Sequence, residues 1–397
     1  CKWIHNRVGT AMAVNLPLTP YRALSPSVAS YIIYKDGDKI YARNGATGGV
    51  EYEGTRAADA IQHAVDRLEQ TGGTIVIKSE VYEIDSTIRL PSNIILRGEG
   101  RTALINRSSD AMIKNKGFGS TADSNITIEK ILFYGGGLDH PIINMSPVNI
   151  IKIKDCVFTD VGSVPAVAIN DGEMYTIVNN IFLPPLGGDA FYSNNVRHLA
   201  VLGNHILQSG DTGVAVNGSI QSDKITITGN TFLNNRYQAV GAGGNVNKVT
   251  ITGNTISGGE NGIWLGTFGF PEKPNMITIT GNIFTDLVIG LKLEVHEALV
   301  ANNIFKAVSQ PLQLISGMIK IKNNMGLVTE NGGVAIIQAG TTRVTINHCL
   351  ITTPSKILIT PYSNIRVWVE NITSMSFDIV TDTVPASNTP VAWLAEI

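Results

Sequence analysis

The chain has 397 residues, and 16% of them are charged, compared with roughly 25% in an average soluble domain. Its 30 Lys and Arg residues nearly balance 32 Asp and Glu residues, so the composition argues against nucleic acid as a partner. Asn, Thr, Ser and 40 Gly residues supply the polarity instead, which favours strands and tight turns and suits a neutral, hydroxyl-rich ligand.

The cysteines, the first residue and the longest apolar runs indicate whether disulfides, metal sites or membrane spans are expected. Cys1, Cys156 and Cys349 are odd in number and far apart, so we expect neither a disulfide framework nor a cysteine-based zinc site, and we interpret Cys156 and Cys349 as small core residues. The start at Cys1 leads us to expect removal of an upstream segment, with a lipid-modified terminus as the alternative. No apolar run reaches about 18 residues, so no membrane span is predicted.

Three features precede the main body of the chain. Residues 1–30 contain three prolines and predict an extended arm. Residues 31–42 predict two short strands around an Asp36-Gly37 turn. Residues 55–70 predict an amphipathic helix with Thr55 as its N-cap, ended by two glycines. Its apolar positions recur at helical spacing, at Ala58, Ile61, Val65 and Leu68.

From residue 74 short β-branched runs alternate with Gly and Asn, and one phrase repeats at intervals of 21 to 28 residues. Its asparagines are Asn180, Asn204, Asn230, Asn254, Asn282, Asn303 and Asn324. Each interval is too short for a propeller blade or a βαβ unit, so we predict one coil of a parallel β-helix per repeat. Stacked asparagines would form an internal amide ladder, and two earlier coils through Cys156 and Ile131 fit the same frame.

The open ends of such a solenoid must be covered. We expect the helix at residues 55–70 to cover the N-terminal end. After residue 328 the repeat disappears and alternating strands predict a small β-sandwich. The expected organisation is therefore an arm (1–30), N-terminal strands and capping helix (31–73), an all-β parallel β-helix (74–327) and a β-sandwich (328–397).

The segment at residues 57–100 closely resembles the opening of pectate-lyase-like proteins of the pectin lyase-like superfamily. The shared phrases are Ala-Ile-Gln-His-Ala-Val, Gly-Gly-Thr-Ile-Val-Ile and Leu-Pro-Ser-Asn-Ile-Ile-Leu-Arg-Gly-Glu-Gly. The resemblance implies a single-stranded right-handed parallel β-helix. That superfamily contains pectinases, alginate-active enzymes, phage tailspikes and proteins without known activity, so it implies a polysaccharide partner but no particular chemistry.

The C-terminal unit is similar to β-sandwiches that follow β-helices in phage tail and archaeal surface proteins. The residues that carry this likeness are 340–348, Thr353-Pro354 and 392–396. Such modules commonly trimerise or bind glycans. The resemblance therefore implies a homotrimer and a secreted, cell-surface or virion location.

Alignment of the coils on the asparagine ladder predicts an outward row with one residue per coil. The row is Tyr192, Ala215, Gly241, Trp264 and Lys292. Its middle is bare and its ends are bulky, with Tyr192 and Trp264 about 14 Å apart at the usual strand spacing. We interpret this row as a saccharide groove that takes a few sugar rings, with Glu294 beside Lys292 as a further binding residue.

Three carboxylates, Asp189, Asp211 and Glu260, are predicted at the turn that leads into these strands, together with Arg236-Tyr237. Neighbouring coils would place Asp189 and Asp211 roughly 5 to 6 Å apart, and Asp211 and Glu260 about 10 Å apart, which brackets the retaining and inverting glycosidase distances. We predict Asp211 as general acid, with Asp189 or Glu260 as its partner. The alternative is that these carboxylates only bond local amides or are solvated.

Gly188-Asp189 and Gly210-Asp211 resemble two acidic turns of polygalacturonases, but Thr212 and Gln238 stand where that family has Asp and His. A hydrolase is therefore predicted ahead of a lyase, and polygalacturonase activity itself is not expected. A lyase would use Lys292 as base and require Ca²⁺; otherwise no cofactor or metal is expected. The alternative function is a tailspike-like or adhesin-like protein that binds glycan without cleaving it.

Two further segments are left with open interpretations. The insertion at residues 267–275 exposes Phe268 and Phe270, which either overhang the groove or pack on the neighbouring coil. Arg197-His198 and His296-Glu297 are expected at coil turns as solvated surface.

Overall fold

The computed structural model describes residues 29–397. The predicted arm, up to residue 28, lies outside the described residues, as does Cys1. The first described elements are β1 (Tyr31–Asp36), β2 (Lys39–Asn44), β3 (Val50–Gly54) and α1 (Ala57–Arg67). β1 and β2 pair antiparallel around the predicted Asp36-Gly37 turn, and β3, which was not predicted, extends the pairing beyond β2.

The helix α1 is shorter than the predicted span of residues 55–70 and begins differently. Arg56, not Thr55, occupies the N-cap position, and it makes no side-chain capping bond. Its guanidinium instead pairs with Asp59 at 3.0 Å and Asp85 at 2.7 Å, which ties the helix start to the solenoid. The apolar side of α1 is buried against the first strands, so the helix covers the N-terminal end as predicted.

The solenoid follows as a run of parallel strands. Its shorter early strands are β4 (Gly73–Ile77), β5 (Val81–Ile84), β6 (Ile88–Leu90), β7 (Ile94–Gly98), β8 (Ala103–Asn106), β9 (Ile113–Asn115), β10 (Ile126–Glu129), β11 (Leu132–Tyr134), β12 (Ile143–Met145), β13 (Ile150–Lys154) and β14 (Val157–Thr159). The later strands are β15 (Val167–Val178), β16 (Ile181–Phe182), β17 (Phe191–Leu202), β18 (His205–Leu207), β19 (Thr212–Thr228), β20 (Thr231–Thr252), β21 (Thr255–Gly266), β22 (Asn275–Thr280), β23 (Ile283–Ala301) and β24 (Ile304–Lys322).

Each coil contributes to three parallel sheets. Sheet A contains the strands that precede the ladder asparagine, such as β10 and β13. Sheet B contains the strands that follow it, such as β11 and β14, and sheet C contains the next ones, such as β12 and the first half of β15. The longest strands bend round a corner and belong to more than one sheet. Together the coils complete about ten turns.

The asparagine ladder lies at the corner between sheets A and B; it is fully buried from Asn180 to Asn303, and its last member, Asn324, is half-buried. Asn254 shows the pattern: its Nδ2 donates to Ile227 O at 2.9 Å and to Asn282 Oδ1 at 2.9 Å. Its own Oδ1 accepts from the backbone N–H and the Nδ2 of Asn230, at 2.9 and 3.0 Å. Each amide is therefore satisfied by the coils before and after it, as the repeat predicts.

The rest of the interior is apolar and stacked in the same way. Phe158 stacks on Phe133 and Phe182 with ring centroids 5.2 and 4.9 Å apart. Cys156 is buried inside the stack, as predicted, and its N–H donates to Asn180 Oδ1 at 3.0 Å, which joins its coil to the ladder. Like side chains recur above like side chains because every coil repeats the same register.

The C-terminal unit is a sandwich of two three-stranded antiparallel sheets, ordered β25-β30-β27 and β26-β29-β28. Its strands are β25 (Glu330–Ile337), β26 (Arg343–Asn347), β27 (Lys356–Pro361), β28 (Val367–Glu370), β29 (Ser376–Thr381) and β30 (Thr389–Glu396). Residues from both sheets share one core. The prediction of a sandwich is confirmed, although the sequence did not reveal β25, whose first half contains Gly332 and Gly333.

The interpretation of Cys349 as a core residue is wrong. Its neighbours His348 and Leu350 are buried, whereas Cys349 is exposed. Its φ of 54° places it in a left-handed turn directly after β26, which directs the thiol away from the core.

Replacement of Asn254 by Ala should destabilise the solenoid. The change removes an amide that serves two neighbours and leaves the buried Asn230 N–H without its acceptor, which we expect to cost at least about 2 kcal/mol of unfolding free energy. Denaturation in guanidinium measures the loss. Thr255→Ala, at the exposed adjacent position, is the matched control, and equal stability of the two variants would contradict a structural role for the ladder.

Candidate functional site

The outward face of sheet C carries the predicted row. Strand pairing places Tyr192 opposite Ala215, Ala215 opposite Gly241, Gly241 opposite Trp264 and Trp264 opposite Lys292, one residue per coil. The side chains between them point inward and are completely buried, at Phe191, Val214, Val240, Ile263 and Leu291. We call the surface over Tyr192, Ala215, Gly241 and Trp264 the groove.

A second row borders the groove and was not recognised from the sequence. Thr212 pairs with Gln238, and Gln238 with Asn261, while the Thr212 N–H donates to Asp189 Oδ1 at 2.9 Å. The Gln238 side chain lies over Gly241, with its Nε2 2.9 Å from where a Cβ would stand. A side chain larger than glycine at position 241 would therefore collide with this row.

The signal for this row was present in the sequence. Thr212 and Gln238 attracted attention as departures from the polygalacturonase pattern, and the structure shows them to be hydrogen-bonded to each other. Gln238 Nε2 donates to Thr212 Oγ1 at 2.9 Å, and Thr212 Oγ1 donates to Asp211 Oδ1 at 3.2 Å. Thr212 thus connects both aspartates of the site.

Asp189 is the half-buried member of this group. Burial raises the pKa of Asp189 to about 6, and the nearby charge of Asp211 acts in the same direction. The hydrogen bond from the Thr212 N–H opposes this shift without cancelling it. Asp189 can therefore carry a proton close to neutral pH, which an ordinary exposed aspartate does not.

Asp211 is exposed, and it lies one residue before the position of its coil that aligns with Asp189. The predicted alignment put both at the same position of the turn, but Asp189 pairs in register with Thr212. Asp211 instead shares its position with Tyr237, whose N–H donates to Asp211 O at 3.2 Å, and with Glu260 on the next coil. The physical reason is that two residues separate Asp211 from the inward Val214, whereas only one separates Asp189 from Phe191, which pairs with Val214.

The other predicted residues at this turn remain on the surface. Arg236, Tyr237 and Glu260 are all exposed, and the Arg236 guanidinium lies 5.0 Å from the Tyr237 ring centroid. At the N-terminal end of the groove the Tyr192 hydroxyl accepts from Asn217 Nδ2 at 3.4 Å. These groups border the groove. Within residues 29–397, no hydrogen bond or ring contact joins Tyr192 at one end to Arg236, Tyr237 or Glu260.

The 267–275 loop closes the C-terminal end of the groove. Phe268 meets the Trp264 ring edge to face, with centroids 4.9 Å apart, while Lys292 Nζ lies 3.7 Å from the centroid of the same ring. The rings of Phe268 and Phe270 lie where side chains at Gly243 and Gly244 would stand. Of the two interpretations of the loop, packing on the neighbouring coil is therefore the one observed, and it leaves Trp264 half-buried rather than free.

Glu294, predicted to contact saccharide, holds this loop in place. Its Oε2 accepts from the N–H and hydroxyl of Thr267 at 3.4 and 3.3 Å. Its Oε1 lies 3.5 Å from Lys273 Nζ, which also donates to Ser316 Oγ at 2.7 Å. The carboxylate is thus engaged by the loop on both oxygens.

Within residues 29–397, no group of three or more His, Cys, Asp or Glu side chains is arranged to hold a metal ion. In the same part of the chain, no helix has the length and hydrophobicity that a bilayer crossing requires.

The repeat, the ladder and the three parallel sheets together define one kind of solenoid, and a family model described as a right handed beta helix region matches residues 142–373. The chain belongs to the right-handed β-helix family. No curated protein matches it.

Solved structures of this β-helix family resemble the chain at low identity. ORF18 of Geobacillus virus E2 is 12% identical, over 89% of this chain and 85% of its own, with a TM-score of 0.62. A mutant tailspike of E. coli bacteriophage HK620 in complex with a pentasaccharide is 13% identical, over 88% and 92%, with a TM-score of 0.49. The A-module of an Azotobacter vinelandii mannuronan C-5 epimerase is 14% identical, over 68% and 95%, with a TM-score of 0.40. At these identities the likeness concerns the fold alone.

The raised pKa of Asp189 predicts a characteristic pH dependence of stability. An aspartate whose pKa is about 6 when folded and 3.8 when unfolded destabilises the native state increasingly as pH rises through that interval. Asp189→Asn removes this effect, so its stability relative to wild type should improve by up to about 3 kcal/mol between pH 4 and pH 7.

Denaturation curves at pH 4 and pH 7 test this expectation. Asp85→Asn is the control with the opposite sign, because the hydrogen-bonded Arg56 guanidinium lowers the pKa of Asp85. Because pH 4 and pH 7 both lie above the ordinary pKa of 3.8, that variant should be less stable than wild type by nearly the same amount at both, and its deficit should shrink only in a further curve taken below pH 3. The same pH trend for both variants would show that Asp189 is not held protonated by burial.

Proposed function

We propose that the protein is a polysaccharide hydrolase that binds an extended glycan along the groove and cleaves it beside Asp189 and Asp211. The observation that carries this proposal is the difference between the two carboxyl groups. Burial raises the pKa of Asp189 to about 6, whereas its neighbour Asp211 is exposed and accepts a hydrogen bond from Thr212 Oγ1. Two carboxyl groups with such different surroundings suit the acid and base roles of a glycosidase.

We assign the roles in the reverse of the order expected from the sequence. Asp189 supplies the proton to the glycosidic oxygen, because burial raises its pKa towards neutral pH. Asp211 acts as the ionised partner, either activating water or attacking the anomeric carbon. Glu260, on the second coil beyond Asp211, is an alternative base at the longer separation of an inverting enzyme.

The groove gives this pair a neutral, polar surface for the sugar. Ala215 adds only a methyl group to this surface, the Gln238 amide lies over Gly241, and the Tyr192 hydroxyl presents a further hydrogen-bonding group at the border. The 267–275 loop and Trp264 end this surface, so the open part spans Tyr192 to Gly241, two strand spacings or about 10 Å. That length accommodates about two sugar rings.

The catalytic pair is tested with a panel of neutral and acidic polysaccharides. Reducing-end release should be lost by a factor of about 100 or more in Asp189→Asn and Asp211→Asn, because each removes a group that acts in proton transfer or attack. Asp155→Asn, at an exposed turn between sheets A and B, is the matched control and should retain full activity. Absorbance of unsaturated uronates that rises together with the new reducing ends would identify elimination instead of hydrolysis.

A second candidate function is glycan binding without cleavage. Thr212 and Gln238 favour it, because they occupy the positions where polygalacturonases have Asp and His. Wild-type protein that binds members of the panel but releases neither reducing ends nor unsaturated products would support this function and remove the catalytic one.

We also propose that the C-terminal sandwich assembles the chain into a homotrimer outside the cell or on a virion, where a polysaccharide is accessible. Val334, Ile336 and Leu358 project from the outer face of the β25-β30-β27 sheet and are 56%, 45% and 50% exposed. Such an apolar face suits burial against other chains. Light scattering should give a trimer for wild type and a monomer for Val334→Lys; a monomeric wild type at micromolar concentration would remove the proposal.

A further inference from the structure

A second polar cleft, of about 580 Å³, lies at the corner between sheets C and A, away from the groove. Three successive coils form it, through residues 171–173, 195–198 and 220–224. Arg197-His198 is predicted to be solvated surface, but His198 is half-buried and lines this cleft.

The charges of the cleft favour a neutral ligand. Asp171, Glu173 and Asp223 contribute three carboxylates, Arg197 and Lys224 contribute two cations, and Lys248 pairs with Asp223 from beside the cleft, so the charges balance. A ligand rich in hydroxyl groups can donate to the carboxylates and accept from the cations without adding a charge.

His198 and Lys224 form an unusual pair. Lys224 Nζ lies 3.1 Å from His198 Nε2, and His198 Nδ1 lies 3.3 Å from Glu173 O. Only one tautomer satisfies both contacts: the neutral ring donates from Nδ1 to Glu173 O and accepts the lysine N–H at Nε2. No carboxylate within residues 29–397 forms an ion pair with Lys224, so its ammonium keeps donors for a ligand.

Asp223 adds an acceptor that lacks a donor. Its Oδ2 pairs with Lys248 at 3.1 Å, but its Oδ1 is buried and accepts no hydrogen bond within the described part of the chain. An unpaired buried carboxylate oxygen is costly, so a rotation of the Asp223 carboxylate that brings Oδ1 to a ligand hydroxyl beside Lys224 would supply the missing donor.

Ile220 provides an apolar side to the same cleft. It is 77% exposed at the tip of the turn between Gly218 and Ser222. Its backbone is held in position because its N–H donates to Asn195 Oδ1 at 2.9 Å. An aliphatic group fixed beside carboxylates and a lysine matches the two sides of a sugar ring, which has C–H groups on its faces and hydroxyls at its edge.

We propose that this cleft is a second saccharide-binding site, selective for a neutral sugar and separate from the groove. Glu173 and Asp223 accept from sugar hydroxyls, Lys224 donates to them and Ile220 packs on the ring. The site binds without cleaving and does not depend on hydrolysis at Asp189.

The test measures amide hydrogen exchange of the full chain, in the Asp189→Asn background so that no probe is consumed. The probes are maltohexaose, cellohexaose and xylohexaose, with hexagalacturonate as the acidic comparison. At least one neutral hexasaccharide should slow exchange at residues 195–198 and 220–224. Lys224→Ala should raise the probe concentration that gives half-maximal protection about tenfold, which is the scale of a lost binding contact. Tyr192→Ala, in the groove, should leave that concentration unchanged.

Lys152→Ala, an exposed lysine of sheet A outside the cleft, is the matched control, and thermal unfolding shows that each variant is folded. Protection confined to the groove, protection by hexagalacturonate alone, or no protection by any of the four probes would overturn the proposal. Hydrolysis by wild type is measured separately, so failure of this site and failure of the catalytic assignment are distinguishable.

Discussion

The structure depends on the fixed separation of about 4.8 Å between hydrogen-bonded coils. Every buried group must find its partner at that distance in the coil before and the coil after. A side-chain amide meets this demand only when another amide occupies the same place, which is why the asparagines recur. Asn204 illustrates it, since it bonds to Asn230 through Nδ2 and to Asn180 through Oδ1. The corner between sheets A and B is therefore the invariant part of each coil, and differences in coil length appear at the other corners. Those corners carry the loop at 267–275, the turn around Ile220 and the acidic turn of Asp189.

Much of the fold was accessible from the sequence for the same reason. A repeated phrase fixes the coil, and the strand period of two then sorts inward from outward residues, as at Trp264 between Ile263 and Leu265. The repeat does not predict the places where local geometry departs from it. The turn after Asp211 has one residue more than the turn after Asp189 before the paired residues Val214 and Phe191, so the alignment of the acidic turn was displaced by one residue. Glycines concealed β25, and at α1 an ion-pairing arginine replaced the expected N-cap.

The site was less accessible because its chemistry depends on burial, which spacing does not report. The sequence identified Asp189 and Asp211 as a pair but offered no basis for distinguishing them. Their difference arises from the Thr212 strand, which covers one carboxyl group and leaves the other in solvent. The cleft at His198 has a similar origin: its tautomer, its lysine partner and its unpaired Asp223 oxygen come from three coils that are about 25 residues apart in sequence.

Phe268 and Phe270 pack on Gly243 and Gly244, so the end of the groove depends both on the 267–275 loop and on the strand that contains these glycines. The loop belongs to one coil, but the space it occupies is provided by the coil before it. A side chain acquired at position 243 would meet Phe268 at 2.2 Å and displace the loop without any change in the loop itself. The length of this surface can therefore change through a single substitution about 25 residues upstream, and relatives with an identical loop need not share the same groove.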